Sequence, residues 1–122
     1  MKFWIILSAI IPLLGLSGCV APQQPVYYYG SYSRTLYQAK KNPSPEKAAK
    51  HQAELLSIIE QSKQRNLRVP PGICCEYGWA LAQTGRVSEA ETYFAMEQRA
   101  YPESAAFVGF LRSQITKGNG NL

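Results

Sequence analysis

The chain has 122 residues, 46% hydrophobic and 17% charged, with a formal net charge of +5. That length fits one domain, with enough apolar content for a core that needs neither metal nor disulfide. The positive excess is mild and reads as solvated surface, and no nucleic-acid partner is expected.

Lys2 opens the chain as a positive n-region, and Phe3 to Leu16 is an apolar run broken by Ser8, Pro12 and Gly15. A membrane-crossing helix needs about 20 apolar residues. This run is shorter, contains helix breakers and reads as an export signal. It ends on Leu16-Ser17-Gly18-Cys19, which resembles the lipobox of bacterial lipoproteins. Small side chains let the extended backbone enter a signal peptidase, and the cysteine thiol takes a diacylglyceryl group in thioether linkage. The resemblance implies a signal peptide over residues 1–18 and a lipidated Cys19, with a palmitate-bearing terminus that anchors firmly because it carries more than one acyl chain. In Gram-negative cells an aspartate after that cysteine tends to retain the protein at the inner membrane. Val20 in its place implies the outer membrane, with the domain facing the periplasm.

With Cys19 given to lipid, Cys74 and Cys75 remain. Neighbouring Cα atoms sit about 3.8 Å apart, below the usual disulfide range of about 4.4–6.8 Å. On a helix the two side chains also diverge by about 100°. Two unpaired thiols are expected, one buried and one available. A lone His51 supplies no zinc site, so neither a metal nor a cofactor is expected.

Residues 19–30 read as the lipidated N-terminus and a linker, in which Ala21 to Pro25 lets the domain stand off from the bilayer. The linker runs into an aromatic cluster, Tyr27, Tyr28, Tyr29 and Tyr32. These tyrosines either dock on the helical core, lie at the lipid interface or present an edge to a partner. A helical domain is expected over 31–116. Its first helix spans Ser33 to Lys41, and Asn42-Pro43 breaks it. Ser44-Pro45-Glu46 starts the second with a cap, a proline at the first position and an acid in the first turn. That helix runs to about Asn66, with Ala49, Ala53 and Leu56 lining its core face and Leu55, Ile58 and Ile59 widening the stripe. Pro70-Pro71-Gly72 precedes a third helix over Ile73 to Thr84, closed by Gly85 as a left-handed cap. A fourth follows over Ser88 to Tyr101, ended by Pro102, and a fifth over Ser104 to Thr116. Residues 117–122 are expected to be a disordered tail. No segment alternates as a strand does, so the fold class is all-α.

Residues 71 to 104 resemble the tetratricopeptide repeat, a helix-turn-helix unit of about 34 residues. Gly78 stands at the close helix crossing, with Leu81 three residues on. Gly85 makes the turn, Ala90 is the small residue on the second helix, Phe94 packs behind it and Pro102 terminates. Glu97 departs from the pattern, which expects a small residue there. Its carboxylate must face water or find a donor such as Arg112 or a tyrosine hydroxyl. The resemblance implies a small stack of hairpins with the fifth helix as its cap, in which Cys75, Trp79, Ala82 and Gln83 occupy the concave, partner-binding face. Trp79 is either the anchor of that face or a core residue packed on the second helix.

The chain from Tyr27 to Leu111 is also similar to a family of small Gram-negative lipoproteins catalogued as a domain of unknown function. The similarity rests on Tyr28-Tyr29-Gly30-Ser31-Tyr32, Leu36-Tyr37, Val69-Pro70-Pro71-Gly72, Glu76-Tyr77-Gly78, and Tyr101-Pro102-Glu103-Ser104 with Phe107. Members tend to be encoded beside two other lipoproteins, one similar to the curli secretion channel, which implies an envelope complex. The leading expectation is therefore a helical adaptor whose partners are the membrane, through Cys19, and another envelope protein. Alternatives are a regulator of a cell-wall synthase, using Arg65 and Arg68, and a lipid- or wall-binding surface protein. His51 lies beside Gln52 and Glu54 with no nucleophile placed next to it in sequence, and an enzyme is not expected.

Overall fold

The structure, a computed structural model, describes Gln23 and residues 25–119. The export signal, Cys19 and the end of the tail lie outside the described residues. Five α-helices follow in order: α1 (Tyr32–Lys41), α2 (Pro45–Gln64), α3 (Ile73–Gln83), α4 (Val87–Ala100) and α5 (Ala105–Asn119), with a 3-10 turn (Pro102–Ser104) before the last. Among the described residues there is no strand, and no helix is long and apolar enough to cross a membrane. α1 with α2 and α3 with α4 form two antiparallel hairpins that stack side by side, and α5 lies against α3.

The helix boundaries follow local chemistry. The Ser44 hydroxyl accepts from the Lys47 N–H at 3.3 Å, with Pro45 opening α2. This satisfies one of the orphan donors of the first turn. Gly85 takes φ 81, which lets the Arg86 N–H return to the Leu81 carbonyl at 3.0 Å and close α3. The last helix runs past Thr116 to Asn119, so residues 117–119 belong to it and not to a tail. The Thr116 hydroxyl bonds back to the Arg112 carbonyl, as within any continuing turn.

The core gathers Leu55, Ile58 and Ile59 from α2, Ile73, Tyr77 and Leu81 from α3, Ala90 and Phe94 from α4, and Val108 and Leu111 from α5. At the hairpin crossing a Cβ on Gly78 would sit 2.9 Å from Phe94 Cε1 and 3.1 Å from the Ala90 carbonyl oxygen. Only a glycine admits the two backbones at that spacing. On α2 the buried stripe is rotated from the one expected. Ala49 and Ala53 face solvent, Leu56 is only partly covered, and His51, Leu55, Ile58, Ile59 and Ser62 turn inward. The large side chains set the face, and the small alanines follow it round to the outside.

The length of α2 has a structural counterpart. At 20 residues it is about 30 Å long, whereas the 10 residues of α1 cover only about half of it. The other half is covered by the extended segment Tyr27–Gly30, which begins the ordered packing before residue 31. The Ser31 N–H donates to Glu54 Oε1 at 2.6 Å at the middle of α2. From there the segment runs to the end of that helix, where the Arg65 guanidinium lies 4.2 Å from the Tyr28 ring centroid. The Tyr27 hydroxyl meets that of Tyr101, which itself donates to the Val69 carbonyl at 2.7 Å. Within the cluster Tyr28 and Tyr32 pack against the helical core while Tyr29 stays exposed, and the segment forms a strap along α2.

Candidate functional site

α3 sits in the middle of the stack, and one of its faces looks away from α4 between α1 and α5. Two hollows open along it. The first, about 420 Å³, lies between α1, α2 and α3 and is bordered by Leu36, Lys40, Gln52, Trp79 and Gln83. The second, about 330 Å³, lies between α3 and α5 and is lined by Gly72, Cys75, Glu76, Trp79, Phe107 and Leu111. Trp79 and Glu76 border both, so the hollows form a groove with the half-buried indole as its central ridge. A smaller hollow beyond it is lined by Ala82, Gln83, Gln114 and Ile115.

The four residues expected on this face are placed unequally. Trp79 is shared between the groove and the core cluster, Ala82 is half-buried and Gln83 is exposed. Cys75 is 2% exposed, so it forms floor and not contact surface. Cys74 is 3% exposed, which corrects the expectation of one available thiol. Both are free, and burial, reinforced by the nearby Glu97 carboxylate, pushes each thiol from 9.0 up to about 12. Thiols held that far from ionisation are poor nucleophiles.

Glu97 finds neither of the donors expected for it. It is buried, and its Oε1 accepts from the Gly72 N–H at 2.7 Å at the start of α3. A carboxylate there meets an orphan donor and the positive end of the helix dipole. Arg112 instead pairs with Glu91 at 2.8 Å and donates to Gln98.

Sequence reasoning missed the polar chain behind the groove. His51 Nδ1 lies 2.8 Å from the Thr35 hydroxyl, and its Nε2 lies 2.9 Å from Glu76 Oε1. The Tyr32 hydroxyl donates to the other Glu76 oxygen at 2.8 Å, and its ring packs on the imidazole with centroids 5.4 Å apart. Burial and this bond to Glu76 raise the Tyr32 hydroxyl from 10.0 to about 12. The chain ties α1, α2 and α3 together through side chains. The signal for it was a single carboxylate, Glu76, inside the otherwise apolar Ile73–Leu81 run, and one histidine with nothing local to pair with. A hydroxyl, an imidazole and a carboxylate in series is also the order of a proton relay. Thr35, however, is 3% exposed, and its hydroxyl rests against its own helix carbonyls at Ser31 and Tyr32. The chain thus joins buried and half-buried groups of three helices as a clamp does. Among the described residues no cluster of His, Cys, Asp and Glu could hold a metal ion.

The architecture defines a class: small all-α proteins built as a stack of helical hairpins with a groove along the middle helix. Residues 26–111 match the sequence profile of the family described as Domain of unknown function (DUF4810), and the chain belongs to that family. No curated protein and no solved structure matches the chain.

Proposed function

We propose that this chain is a lipid-anchored outer-membrane adaptor of tetratricopeptide-like build, holding a segment of another envelope protein in the groove around Trp79. The observation that carries this reading is the position of that indole. It borders both hollows, with apolar walls at Leu36 and Leu111 and amide groups of Gln52 and Gln83 at the rim. An aromatic ridge between apolar hollows with a polar rim suits an inserted side chain of an extended or helical peptide. The partner we assign is the channel-like lipoprotein implied by the family resemblance, and Cys19 supplies the anchor. The role we propose is binding: the Thr35 hydroxyl rests against its own helix carbonyls, and Cys74 and Cys75 are buried. Arg65 and Arg68, which a synthase-regulating role would use, stack on tyrosines at the strap end, away from the groove.

The test is co-purification of the full chain with the neighbouring channel-like lipoprotein after co-expression. Trp79→Ala should weaken capture by at least tenfold, while Lys50→Ala on the exposed side of α2 should leave it unchanged. Equal capture by both variants removes the groove from the mechanism, and failure of the unmodified chain to capture the channel-like protein rejects that partner.

A further inference from the structure

The stack has two ends, and they differ in more than charge. At one end meet the turn between α2 and α3, the turn between α4 and α5, and the outer end of the strap. Val26, 66% exposed, leaves the domain here. Arg65 lies over Tyr28, and Arg68 lies 4.7 Å from the Tyr101 ring centroid while donating to the Ala100 carbonyl at 2.8 Å. Both arginines are exposed, as are Lys63 and Arg99 in the last turns of α2 and α4. Glu103, and Glu60 one turn before Lys63, are the exposed acids beside them, since the Glu97 carboxylate is buried on Gly72. Phe107, 54% exposed, stands in the first turn of α5 beside Gly72, and Phe110 follows one turn on at 55%.

The opposite end is basic too, with Lys40, Lys41, Lys47, Arg86 and Lys117. There Arg86 is spent on Glu89 at 2.6 Å, Lys47 Nζ on the Asn42 carbonyl, and the exposed Tyr37 carries a lysine in place of a guanidinium, with Lys41 Nζ 5.4 Å from its ring centroid. Net charge therefore does not choose between the ends. The pairing of guanidinium with tyrosine, the exposed phenylalanines and the exit of the chain do. Aromatic rings beside arginines are the side-chain set of a membrane interface: rings sit at headgroup level and guanidinium edges meet phosphates.

We propose that this end lies on the membrane surface, with Arg65 and Arg68 meeting the phosphates of anionic phospholipids and Phe107 resting at headgroup depth. The inference rests on the reading that Cys19 carries lipid. The link from Cys19 to Val26 reaches at most about 25 Å even fully extended. Such a leash lets Arg65 and Arg68 reach the bilayer, and their attraction to anionic lipid takes hold once they come within about one Debye length of it, about 8 Å at physiological salt. Docked this way, the domain stands with its helices upright and the Trp79 groove opening sideways along the membrane, toward a partner anchored in the same leaflet.

The test uses the full chain, purified from envelopes and placed in nanodiscs of phosphatidylcholine with or without phosphatidylglycerol. Amide hydrogen exchange is read by mass spectrometry, and the mass of the Cys19 peptide is measured on the same sample. Phosphatidylglycerol should slow exchange at 65–69 and 103–107 by threefold or more and leave 41–47 and 84–88 unchanged. Arg65→Glu with Arg68→Glu should abolish the difference, whereas Arg65→Lys with Arg68→Lys, which disturbs the same stacking on Tyr28 and Tyr101 but keeps the charge, should retain it. Equal rates in both lipids, equal slowing at both ends, or slowing by soluble wall polymer and not by phosphatidylglycerol overturns the proposal. An acylated Cys19 with no slowing removes the surface and keeps the anchor. Slowing with an unmodified Cys19 removes the anchor and keeps the surface.

Discussion

Gly78 shows how tightly a single residue can hold a fold of this size. Its missing side chain is what brings α3 and α4 together, with Phe94, 0% exposed, filling the space a methyl would take. In an open helix Gly→Ala stabilises by about 1 kcal/mol. Here the added carbon meets a buried ring and a backbone carbonyl, neither of which can swing away, and overpacking of that kind costs about 1–3 kcal/mol. Gly78→Ala should therefore be destabilising on balance, by about 1–2 kcal/mol, in urea denaturation of the full chain. A stabilised variant would mean that the hairpin crossing is looser than the structure has it. Glu97 teaches the complementary lesson. The repeat pattern asks for a small residue at its position, and a carboxylate is accommodated because the Gly72 N–H is waiting for it. The sequence made the mismatch visible. The donor was not, because it is a backbone group on a segment distant in sequence.

Among the elements, α1 is the least secured by apolar contact. Its one buried residue is Thr35, Tyr32, Leu36 and Ala39 are only half-buried, and much of its hold on the stack is the Thr35–His51–Glu76–Tyr32 chain and the strap that leads into it. Replacing His51 by alanine would leave the Thr35 hydroxyl and the Glu76 carboxylate without their shared partner. Glu76 is partly open to solvent, which offsets some of that loss, and the cost of leaving such groups unpaired is about 1–3 kcal/mol. His51→Ala should lower stability by about that amount, with the amides of α1 losing their exchange protection before those of α3 and α4. Uniform loss across all five helices would contradict a local clamp. The helices themselves were largely legible, since caps, prolines and Gly85 punctuate the chain where the elements end. The rotation of α2 was not. An alanine counts as apolar in any periodicity, yet Ala49 and Ala53 have too little surface to compete with Leu55, Ile58 and Ile59 for the core.

For the molecule as a whole, the adjacent thiols at its centre give stability a dependence on alkaline pH. Cys74 and Cys75 ionise near 9.0 in the unfolded chain and only near 12 when folded. Folded-state values raised in this way favour the native state below the unfolded value, and that advantage is lost as pH climbs between the two. Stability should fall steadily from about pH 9 to pH 12. Changing both cysteines to alanine should flatten that slope, even though it lowers stability at pH 7 by leaving small cavities. An unchanged slope would place its origin in the tyrosines, of which Tyr32 is raised in the same direction. The family and the all-α class were readable from motif order. Trp79 and Gln83 border the same hollow because residues four apart share one face of α3, a spacing visible in the sequence. Cys75 shares that face and is nonetheless buried, because α5 closes over it, a contact that spacing within one hairpin does not encode.

The strap has a mechanical side. Tyr27–Gly30 is held to the stack by a few side chains arranged in series: Tyr27 on Tyr101 after α4, Tyr28 on Arg65 at the end of α2, and the Ser31 N–H on Glu54. Tension on the chain ahead of Val26 loads these contacts one at a time, as in unzipping, whereas the hairpins behind them share any load across whole interfaces. The strap is the fuse of the molecule. It would part at low force, bare the second half of α2, and hand the next load to Tyr32 and the clamp that shapes the groove.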